Sequence, residues 1–398
     1  MKKAFFIAHR LPFPPNKGDK LRAYHILRRL SQRFETYLFC HLDDARDLEE
    51  VSRLDLPLKG VFFRYRSARH RKLACLRALP KGSLTVAYFY ERSLQREYDR
   101  LLQEASPSLI FCSCAPAAEY VFCGPATSAR LFLDFMDVDS EKWAAFSQKT
   151  PWPYRLLYAL EARRLRAYER RIAREFHRIF FVSAQEAALF REKVLSNEKI
   201  SVLENGVDLE FFSPSYRSAL PKEGPSVVFT GAMDYWPNIE GVLWFARNCW
   251  PRIKRALPEA RFYVVGKDPP SEIRELPQKE RGIVVTGFVR DARDYLALAD
   301  VAIAPLLVAR GVQNKVLEAA AMARPVVATP QAAEGLSLLP GEEILVEEEP
   351  SLFAEKVIEL LREPRRAREI GKRARQRMEK EYSWEKKLAV LDRFLAEI

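Results

Sequence analysis

The stretch APLLVARGVQNKVLEAAAMARPVVATP, residues 304–330, holds the clearest concentration of residues that could do chemistry. A loop that carries Arg310, Gly311, Asn314 and Lys315 leads from an apolar strand into a predicted helix of small residues. The unpaired N–H groups and the partial positive charge of a helix N-terminus attract phosphate. Lys315 adds a full charge on the first turn, and Gly311 would let the backbone approach a ligand closely.

A single carboxylate, Glu318, follows on the same predicted helix. It lies four residues after Asn314 and three after Lys315, so the three side chains share one helix face. A carboxylate one turn behind a bound phosphate could accept hydrogen bonds from two ribose hydroxyls. For the helix taken alone, an ordinary capped helix with a surface pair of Lys315 and Glu318 is an equally good interpretation.

A second group of reactive residues occurs in LDFMDVDSEKW, where Asp134, Asp137 and Asp139 follow a predicted strand. A carboxylate at this place could accept a proton from a substrate hydroxyl, and we favour Asp137 for that role. The alternative is helix capping, because Asp139 or Ser140 would suit the N-cap of the next predicted helix. We favour the cap interpretation for Ser140.

The elements that must position these residues are short apolar runs that alternate with helical periodicity. Such alternation predicts βαβ units and parallel sheets with both faces covered. In the first half of the chain the predicted strands are 4–8, 36–40, 60–65, 108–112, 130–135, 178–183 and 199–203. The pattern then restarts, with predicted strands at 226–230, 261–266, 283–287, 301–305 and 325–329.

The boundary between the two predicted sheets lies in a segment rich in Gly, Pro and Ser. At 398 residues, two domains are also the default expectation from length. We therefore predict a domain at 1–203, a hinge or linker at 204–225 and a second domain at 226–381. A final amphipathic helix, 382–398, is expected to pack back on the first domain. The expected fold class is α/β, with two Rossmann-like doubly wound domains that face a central cleft, where ligands of open α/β sheets bind.

The net charge of +12 is carried by the first half of the chain, since residues 1–200 hold 36 Lys and Arg against 23 Asp and Glu. The basic segments 64–72 and 161–175 are the most prominent. They are interpreted either as solvated helix faces, which Glu161, Glu169 and Glu175 favour, or as a surface attracted to an anionic membrane or substrate. No nucleic-acid-binding motif accompanies the charge, so nucleic acid is not an expected partner.

The sequence has no run of 18 apolar residues, and its start reads as a buried first strand, so we expect a cytoplasmic protein. The six cysteines show no Cys-x2-Cys pair and no histidine at metal-ligand spacing. A metal site or disulfide framework built on them is not expected.

Several motifs together resemble the retaining glycosyltransferases of family 4, which have the GT-B fold. The hinge motif Asn205-Gly206-Val207-Asp208 is typical of that family, as are VVFTGAM, VVTGFVRD and EYSW. More narrowly, GAMDYWPNIEGVLWF, RGVQNKVLEA and DFMDVDSEKW resemble the subgroup found with exosortase-linked exopolysaccharide clusters. The resemblance covers essentially the whole chain.

The resemblance implies roles for residues of the second domain. Glu318 matches the second acid of a Glu-x7-Glu motif, which holds the nucleotide ribose, while Lys315 and Asn314 fall where the diphosphate lies. The loop that meets the nucleobase corresponds to Gly287, Phe288 and Val289. Gly231 opens the loop beneath the phosphates.

In the first domain, the resemblance implies a loop that faces the donor phosphate and the acceptor. That loop contains Lys17, Gly18, Asp19 and Arg22. Family members often carry a histidine near the reacting centre, in the region where this chain has Asp137. His9, at the end of the first predicted strand, is a weaker candidate.

The chain departs from the family pattern at two places. Arg310 replaces the first acid of Glu-x7-Glu, which contacts the donor sugar. Met233, Trp236 and Asn238 lie where most members place an arginine and a lysine after the glycine of VVFTG. Our hypothesis is that Arg310 supplies the phosphate with the positive charge that most members place in the loop after VVFTG.

These implications predict an enzyme that moves a sugar from a UDP- or GDP-sugar to an acceptor, expected to be lipid-linked or an oligosaccharide, with retention of configuration. Asp137, Arg310 and Lys315 are the expected catalytic residues. No metal and no cofactor are expected, since the nucleotide-sugar is a substrate, and an anionic membrane surface is an expected partner. The alternatives are a GT-B nucleotide-sugar epimerase and a non-catalytic nucleotide-sugar-binding protein. An oxidoreductase is disfavoured because no predicted strand is followed by Gly-x-Gly-x-x-Gly.

Overall fold

The computed structural model of the protein describes residues 1–15, 18–44, 47–80, 82–309 and 311–398. Two predicted site residues, Lys17 and Arg310, therefore lie outside the described residues. The chain divides into two units, Met1–Glu204 with Leu388–Ile398, and Asn205–Lys387. Among the helices in the described ranges, none is both long and apolar enough to cross a membrane.

The first unit is built on a parallel sheet that has seven strands within the described residues, in the order β3-β2-β1-β4-β5-β6-β7. Its central strands are apolar and buried on both faces, as a parallel sheet covered by helices requires. The strands are β1 Lys3–Ile7, β2 Glu35–Leu42, β3 Leu58–Tyr65, β4 Leu109–Cys112, β5 Arg130–Met136, β6 Arg178–Phe181 and β7 Ile200–Val202.

The strands of the first unit are connected mainly by helices, which cover the sheet. They are α1 Gly18–Ser31, α2 Asp47–Arg53, α3 Ala68–Ala78, α4 Leu84–Phe89, α5 Arg92–Ala105, α6 Ala118–Phe122, α7 Asp139–Lys149, α8 Tyr154–Glu175 and α9 Ala184–Lys193. Strand order reverses between β1 and β4, which are hydrogen-bonded neighbours. Residues that follow these two strands occupy the position where open α/β sheets bind ligands.

The second unit repeats this plan with a parallel sheet of six described strands, in the order β10-β9-β8-β11-β12-β13. The reversal of strand order falls between β8 and β11, which again pair directly. The strands are β8 Ser226–Thr230, β9 Arg261–Val265, β10 Ile283–Gly287, β11 Val301–Ala304, β12 Val326–Ala328 and β13 Leu345–Val346.

The helices of the second unit bury one apolar core with this sheet. They are α10 Trp236–Asn248, α11 Trp250–Ala256, α12 Ser271–Arg274, α13 Leu276–Lys279, α14 Arg293–Leu298, α15 Asn314–Ala321, α16 Pro330–Ala333, α17 Pro350–Arg362 and α18 Pro364–Arg377. A π-helical turn, Met378–Tyr382, follows α18 and precedes the last helix, α19 Trp384–Leu395.

The predicted α/β class and the parallel sheets are confirmed, and each of the twelve predicted strands is present. The sequence missed β13, because a strand of two residues is too short to show periodicity.

The segment treated as a linker, 204–225, is almost wholly part of the second unit. Its hinge motif lies against the EYSW motif: the Val207 N–H donates to the Tyr382 carbonyl over 2.7 Å. A Cβ on Gly206 would come within 2.7 Å of the backbone of Trp384, so only glycine fits this close approach. Two of the family motifs therefore meet in a structural contact.

The last residues, Leu388–Ile398, belong to the first unit. Asp392 forms ion pairs with Arg29 and Arg33 at 3.4 and 3.2 Å. Phe394 contacts Phe180 of β6, with ring centroids 5.8 Å apart. The end of α19 is thus held by charge and by aromatic packing.

Candidate functional site

The N-terminus of α15 begins one loop after β11, at the carboxyl edge of the second sheet. Its N-cap residue, Gln313, makes no side-chain hydrogen bond to the first turn; its amide donates instead to the Gly311 carbonyl over 3.2 Å. Gly311 has a φ of 63°, a left-handed conformation that glycine adopts without strain. The loop conformation thus depends on glycine at this position, and the helix end is not capped by the side chain of its own N-cap residue.

Lys315 reaches across from α15 to the start of α10. Its ammonium donates to Asn238 Oδ1 over 3.1 Å and lies 5.4 Å from the centre of the Phe229 ring. The side chain is half-buried, and this burial lowers the pKa of Lys315 to about 8, although Glu318 opposes the shift. Lys315 is therefore a positioned cation whose charge an anionic ligand would stabilise.

Glu318 is half-buried beside Lys315 without pairing with it. Within the described residues, neither an ion pair with Lys315 nor any hydrogen bond to the Glu318 carboxylate is present, so the alternative of a surface pair is wrong. Burial raises the pKa of Glu318 to about 7, and the charge of Lys315 opposes this shift. Burial of a carboxylate costs free energy, which hydrogen bonds from hydroxyl groups reduce.

Gly231 follows β8 and packs against the end of β9. Its N–H donates to the Val265 carbonyl over 2.9 Å, and a Cβ on Gly266 would lie 1.8 Å from the Gly231 oxygen. A Cβ on Gly231 would meet the Asn238 amide at 2.8 Å. The strand ends therefore approach as closely as two glycines allow, beside the residue that holds Lys315.

Asn238 is the residue whose importance the sequence did not reveal. It is 4% exposed, donates to the Ala232 carbonyl over 2.8 Å and accepts from Lys315. One amide therefore fixes both the loop after β8 and the predicted phosphate-binding lysine. The only signal in the sequence was its place among the departures from the family pattern.

The predicted nucleobase loop follows β10. Gly287 has a φ of 67° with open space around its Cα, and the Phe288 ring is 73% exposed. Val289 packs partly buried against the core. Asn314, predicted near the diphosphate, accepts a hydrogen bond of 3.2 Å from the hinge residue Asn205.

In the first unit, the prediction of a loop through Arg22 is wrong, because Gly18, Asp19 and Arg22 belong to helix α1, which begins at Gly18. Arg22 is 1% exposed and makes a two-pronged ion pair with Asp134, with bonds of 2.6 and 2.8 Å. Two charges so deeply buried depend on one another. The structure thus places Arg22 inside the unit and pairs it with Asp134, the first of the three acids in LDFMDVDSEKW.

Asp19 joins a network at the end of β1. Its carboxylate lies 3.1 Å from His9 Nε2 and 3.1 Å from Arg10, and Arg10 also pairs with Asp43 at 3.4 Å. Burial opposes the charge of His9, but Cys114 and the hydrogen bond to Asp19 raise its pKa to about 9. Burial would raise the pKa of Asp19, yet His9 and Arg10 hold it below its ordinary value. His9 and Arg10 thus share one carboxylate, Asp19, at the end of β1.

Asp137 lies between β5 and α7, where its Oδ2 contacts the Lys142 ammonium at 2.6 Å. Asp139 is the first residue of α7 and lies 3.6 Å from the same ammonium. Burial raises the pKa of Asp139 above its ordinary value, although Lys142 opposes this. Within the described residues, no cluster of His, Cys, Asp and Glu side chains has the arrangement of a metal site.

The capping role expected of Ser140 is wrong. The N-cap of α7 is Val138, and the Ser140 hydroxyl donates to Glu169 over 2.5 Å. Glu169 is fully buried, and burial raises its pKa to about 8, against the hydrogen bonds from Ser140. A carboxylate from α8 therefore takes the place at this helix N-terminus that a local cap was expected to fill.

The expectation that Glu161 and Glu169 lie on a solvated face is also wrong, since both are buried. Glu161 accepts hydrogen bonds from Ser83, Leu84 and Thr85 at the start of α4. These two acids of α8 therefore accept hydrogen bonds from the first turns of neighbouring helices. Many of the arginines around them face solvent.

The fold and the site define an α/β protein of two Rossmann-like units, the second of which carries Lys315 and Glu318 on the first turns of α15. Residues 20–206 match the model of the glycosyl transferase 4-like domain, and residues 224–363 match that of glycosyl transferases group 1. The chain belongs to a glycosyltransferase family with the GT-B fold. Among curated proteins, no sequence match to this chain was found.

Solved structures with the same fold align over the whole chain. Sucrose-phosphate synthase from Thermosynechococcus elongatus is 17% identical, with a TM-score of 0.71, and the match covers 100% of this chain and 99% of that one. Anabaena HepE in complex with UDP-glucose is 14% identical, with a TM-score of 0.70 and full coverage of both chains. A glycosyltransferase from Rickettsia africae is 14% identical, with a TM-score of 0.68, covering 100% and 98%. At these identities the likeness shows the fold alone.

Proposed function

We propose that the protein transfers a sugar from a nucleotide-diphosphate sugar to a saccharide acceptor. The observation that carries this proposal is the pair of desolvated groups on α15, Lys315 and Glu318, which lie side by side without bonding to each other. A diphosphate would complement the first, and ribose hydroxyls would complement the second. The family match and the UDP-glucose bound by the HepE structure agree with a donor of this class.

In this proposal, catalysis consists mainly of stabilising the leaving diphosphate. The bond between the anomeric carbon and the diphosphate oxygen breaks, and charge grows on that oxygen. Lys315, the helix N–H groups and Arg310 would bear that charge, in a site where solvent is partly excluded. Arg310 is included from the resemblance, since it lies outside the described residues.

Asp137 is the proposed acceptor of the proton from the attacking hydroxyl. The Lys142 ammonium at 2.6 Å would fix one carboxylate oxygen and leave the other available. We further propose, from the resemblance, that the configuration at the anomeric carbon is retained and that no metal is needed. The enzyme should therefore keep its activity after treatment with EDTA.

The proposed acceptor is lipid-linked, in the synthesis of an exopolysaccharide or another cell-surface glycan. The resemblance suggests this pathway, and the basic first half of the chain is suited to an anionic membrane surface. The proposed enzyme would then act as a peripheral protein on the cytoplasmic face of the membrane.

The test is product analysis with a panel of UDP- and GDP-sugars and a lipid-linked saccharide acceptor. We expect a glycosylated acceptor whose new linkage has the anomeric configuration of the donor, as read by NMR. A changed donor sugar without transfer would identify an epimerase instead. Calorimetric binding of a donor without any conversion, across the panel, would identify a non-catalytic binding protein.

A further inference from the structure

The first unit exposes an unusual number of large apolar side chains on two neighbouring helical segments. On α3 and at its end, Leu73, Leu76 and Leu79 are 43, 66 and 38% exposed. Their spacing of three residues puts them on one side of the helix. Single exposed leucines are ordinary, but a stripe of three is not.

The second segment is the beginning of α8. Leu156 and Leu160 are 63 and 39% exposed, and their spacing of four residues puts them on one side of α8. Trp152, 77% exposed, lies in the turn just before the helix. Phe146 at the end of α7 and Tyr154 are more than half exposed beside them. Trp and Tyr combine an apolar ring with a polar edge and are typical of side chains at a lipid–water boundary.

The two stripes approach each other at one end, because the connection between α3 and α4 is bonded to α8. The Arg164 guanidinium donates to the carbonyls of Pro80 and Gly82, over 3.2 and 2.9 Å. Pro80 directly follows Leu79, and Arg164 lies one turn after Leu160. We call this the α3–α8 surface, and it consists of Leu73, Leu76, Leu79, Trp152, Leu156 and Leu160.

The charged residues of the segments that form this surface are mostly basic. Residues 64–90 contain seven Lys and Arg and no Asp or Glu, and residues 142–160 contain three Lys and Arg and again no acid. On α3, Arg69, Lys72 and Arg77 lie among the leucines, and within the described residues none of them forms an ion pair. The nearest acids of α8, Glu161 and Glu169, are buried in helix-end contacts and do not neutralise this surface.

A pocket of about 300 Å³ opens beside the leucine stripe, and Leu73 lines both. Three basic side chains, Arg64, Arg77 and His70, line it as well. Arg66 and Glu91 also line the pocket, and they pair with each other at 2.9 Å. The pocket is therefore suited to a phosphate group that lies next to an apolar chain.

We propose that the α3–α8 surface docks on an anionic lipid bilayer, with its leucines and Trp152 in the acyl boundary and a head-group phosphate in the basic pocket. The inference extends the proposed function, since a lipid-linked acceptor resides in a bilayer. A second copy of the chain is a poor occupant, because it would bring two surfaces of the same charge together. A bilayer matches both the apolar stripes and the surrounding cations.

The test uses the full chain and vesicles of phosphatidylcholine, with or without phosphatidylglycerol. The wild type should bind the phosphatidylglycerol vesicles and be released from them as salt rises. Leu76→Glu with Leu156→Glu should remove binding even at low salt. Lys72→Glu with Arg77→Glu should reduce it by roughly tenfold or more, since each basic residue near such a surface contributes about a fivefold factor.

Matched controls come from the exposed surface of the second unit. Leu352→Glu, and Arg365→Glu with Arg368→Glu, change the same types of exposed residue and should bind vesicles like the wild type. Lipids brominated in the acyl chain should quench tryptophan fluorescence in the wild type, and this quenching should fall in Trp152→Phe. Equal vesicle binding by all variants, or no preference for phosphatidylglycerol, would overturn the proposal.

Two further measurements keep this proposal separate from the proposed function. Calorimetric binding of a nucleotide-sugar should be the same for every variant above, so a chain that binds donor but ignores vesicles would overturn the docking surface alone. Analytical ultracentrifugation covers the remaining case: if the wild type dimerises through residues 76 and 156 and binds no vesicle, a second copy is the occupant and the proposal is wrong.

Discussion

The charged residues near the carboxyl edges of the two sheets differ in their pairing. In the first unit, charges are matched within the protein: Arg22 with Asp134, His9 and Arg10 with Asp19, and Lys142 with Asp137. In the second unit, Lys315 and Glu318 are desolvated and share no bond.

This difference indicates a difference in task. The charges of a matched pair such as Arg22 and Asp134 compensate each other within the protein, without a ligand. Desolvated charged groups that share no hydrogen bond carry a free-energy cost that a ligand of suitable charge would reduce. Lys315 and Glu318 therefore have the features expected of a ligand site. The charged groups near the edge of the first sheet already have partners within the protein.

The largest effect expected from this comparison is on stability. Asp134→Ala should lower the unfolding free energy by about 3–5 kcal/mol, because it removes the carboxylate that makes the two-pronged ion pair with the buried Arg22 charge. The double replacement Arg22→Met with Asp134→Leu should restore much of that loss. Urea denaturation followed by circular dichroism measures both, and the exposed pair at Arg100 is the control, where Arg100→Met should change nothing measurable.

The corresponding substitution in the second unit, Lys315→Met, should affect ligand binding and not stability. Lys315→Met should leave stability unchanged or higher, since a desolvated ammonium is removed. The variant's free energy of binding to a nucleotide-sugar should weaken by about 1.5–3 kcal/mol, the scale of a charged hydrogen bond. Calorimetry checks this against Lys372→Met, an exposed lysine of α18. Equal affinities of the two variants for the nucleotide-sugar would show that Lys315 does not bind the donor.

A substitution at Arg310, where the family carries an acid, tests whether this residue binds the phosphates or the donor sugar. Arg310→Glu should weaken binding of free UDP or GDP by roughly tenfold, about 1.4 kcal/mol, because an attractive charge becomes repulsive. If Arg310 instead serves an acidic donor sugar, affinity for the bare nucleotide will hardly change and only binding of the intact donor will disappear. Unchanged binding of both ligands would place Arg310 outside the site.

The smallest expected effect is a pH dependence of donor affinity. The carboxylate form of Glu318 is lost as pH falls below its pKa of about 7, and the charge of Lys315 is lost as pH rises above its pKa of about 8. Affinity for a nucleotide-sugar should therefore peak between these values and fall several-fold within one pH unit on each side, since one of the two groups then becomes mostly neutral.

Glu318→Gln should remove the acidic limb of this profile, and Lys315→Met the alkaline limb. Calorimetric titrations from pH 6 to pH 9 provide the measurement. A flat profile in the wild type would contradict the idea that these two groups bind the donor in their charged forms.

Local patterns in the sequence were enough to predict twelve strands of the two sheets and the helix that carries Lys315 and Glu318. Apolar runs of four to eight residues need burial on both faces, so they become parallel strands wherever they occur in the chain. Lys315 and Glu318 share a helix face because of helical spacing alone. Each of these features depends on residues close together in the chain, and so it can be predicted without the fold.

The choice of partners among the charged residues became visible only in the folded chain. Arg22 and Asp134 are 112 positions apart, and Lys315 and Asn238 are 77 apart, so no spacing in the sequence connects them. Ser140 was expected to be a local cap, yet Glu169 from the next helix takes the helix end. Ion pairs and caps between distant elements depend on which helices and strands pack together, and that is settled when the whole core forms.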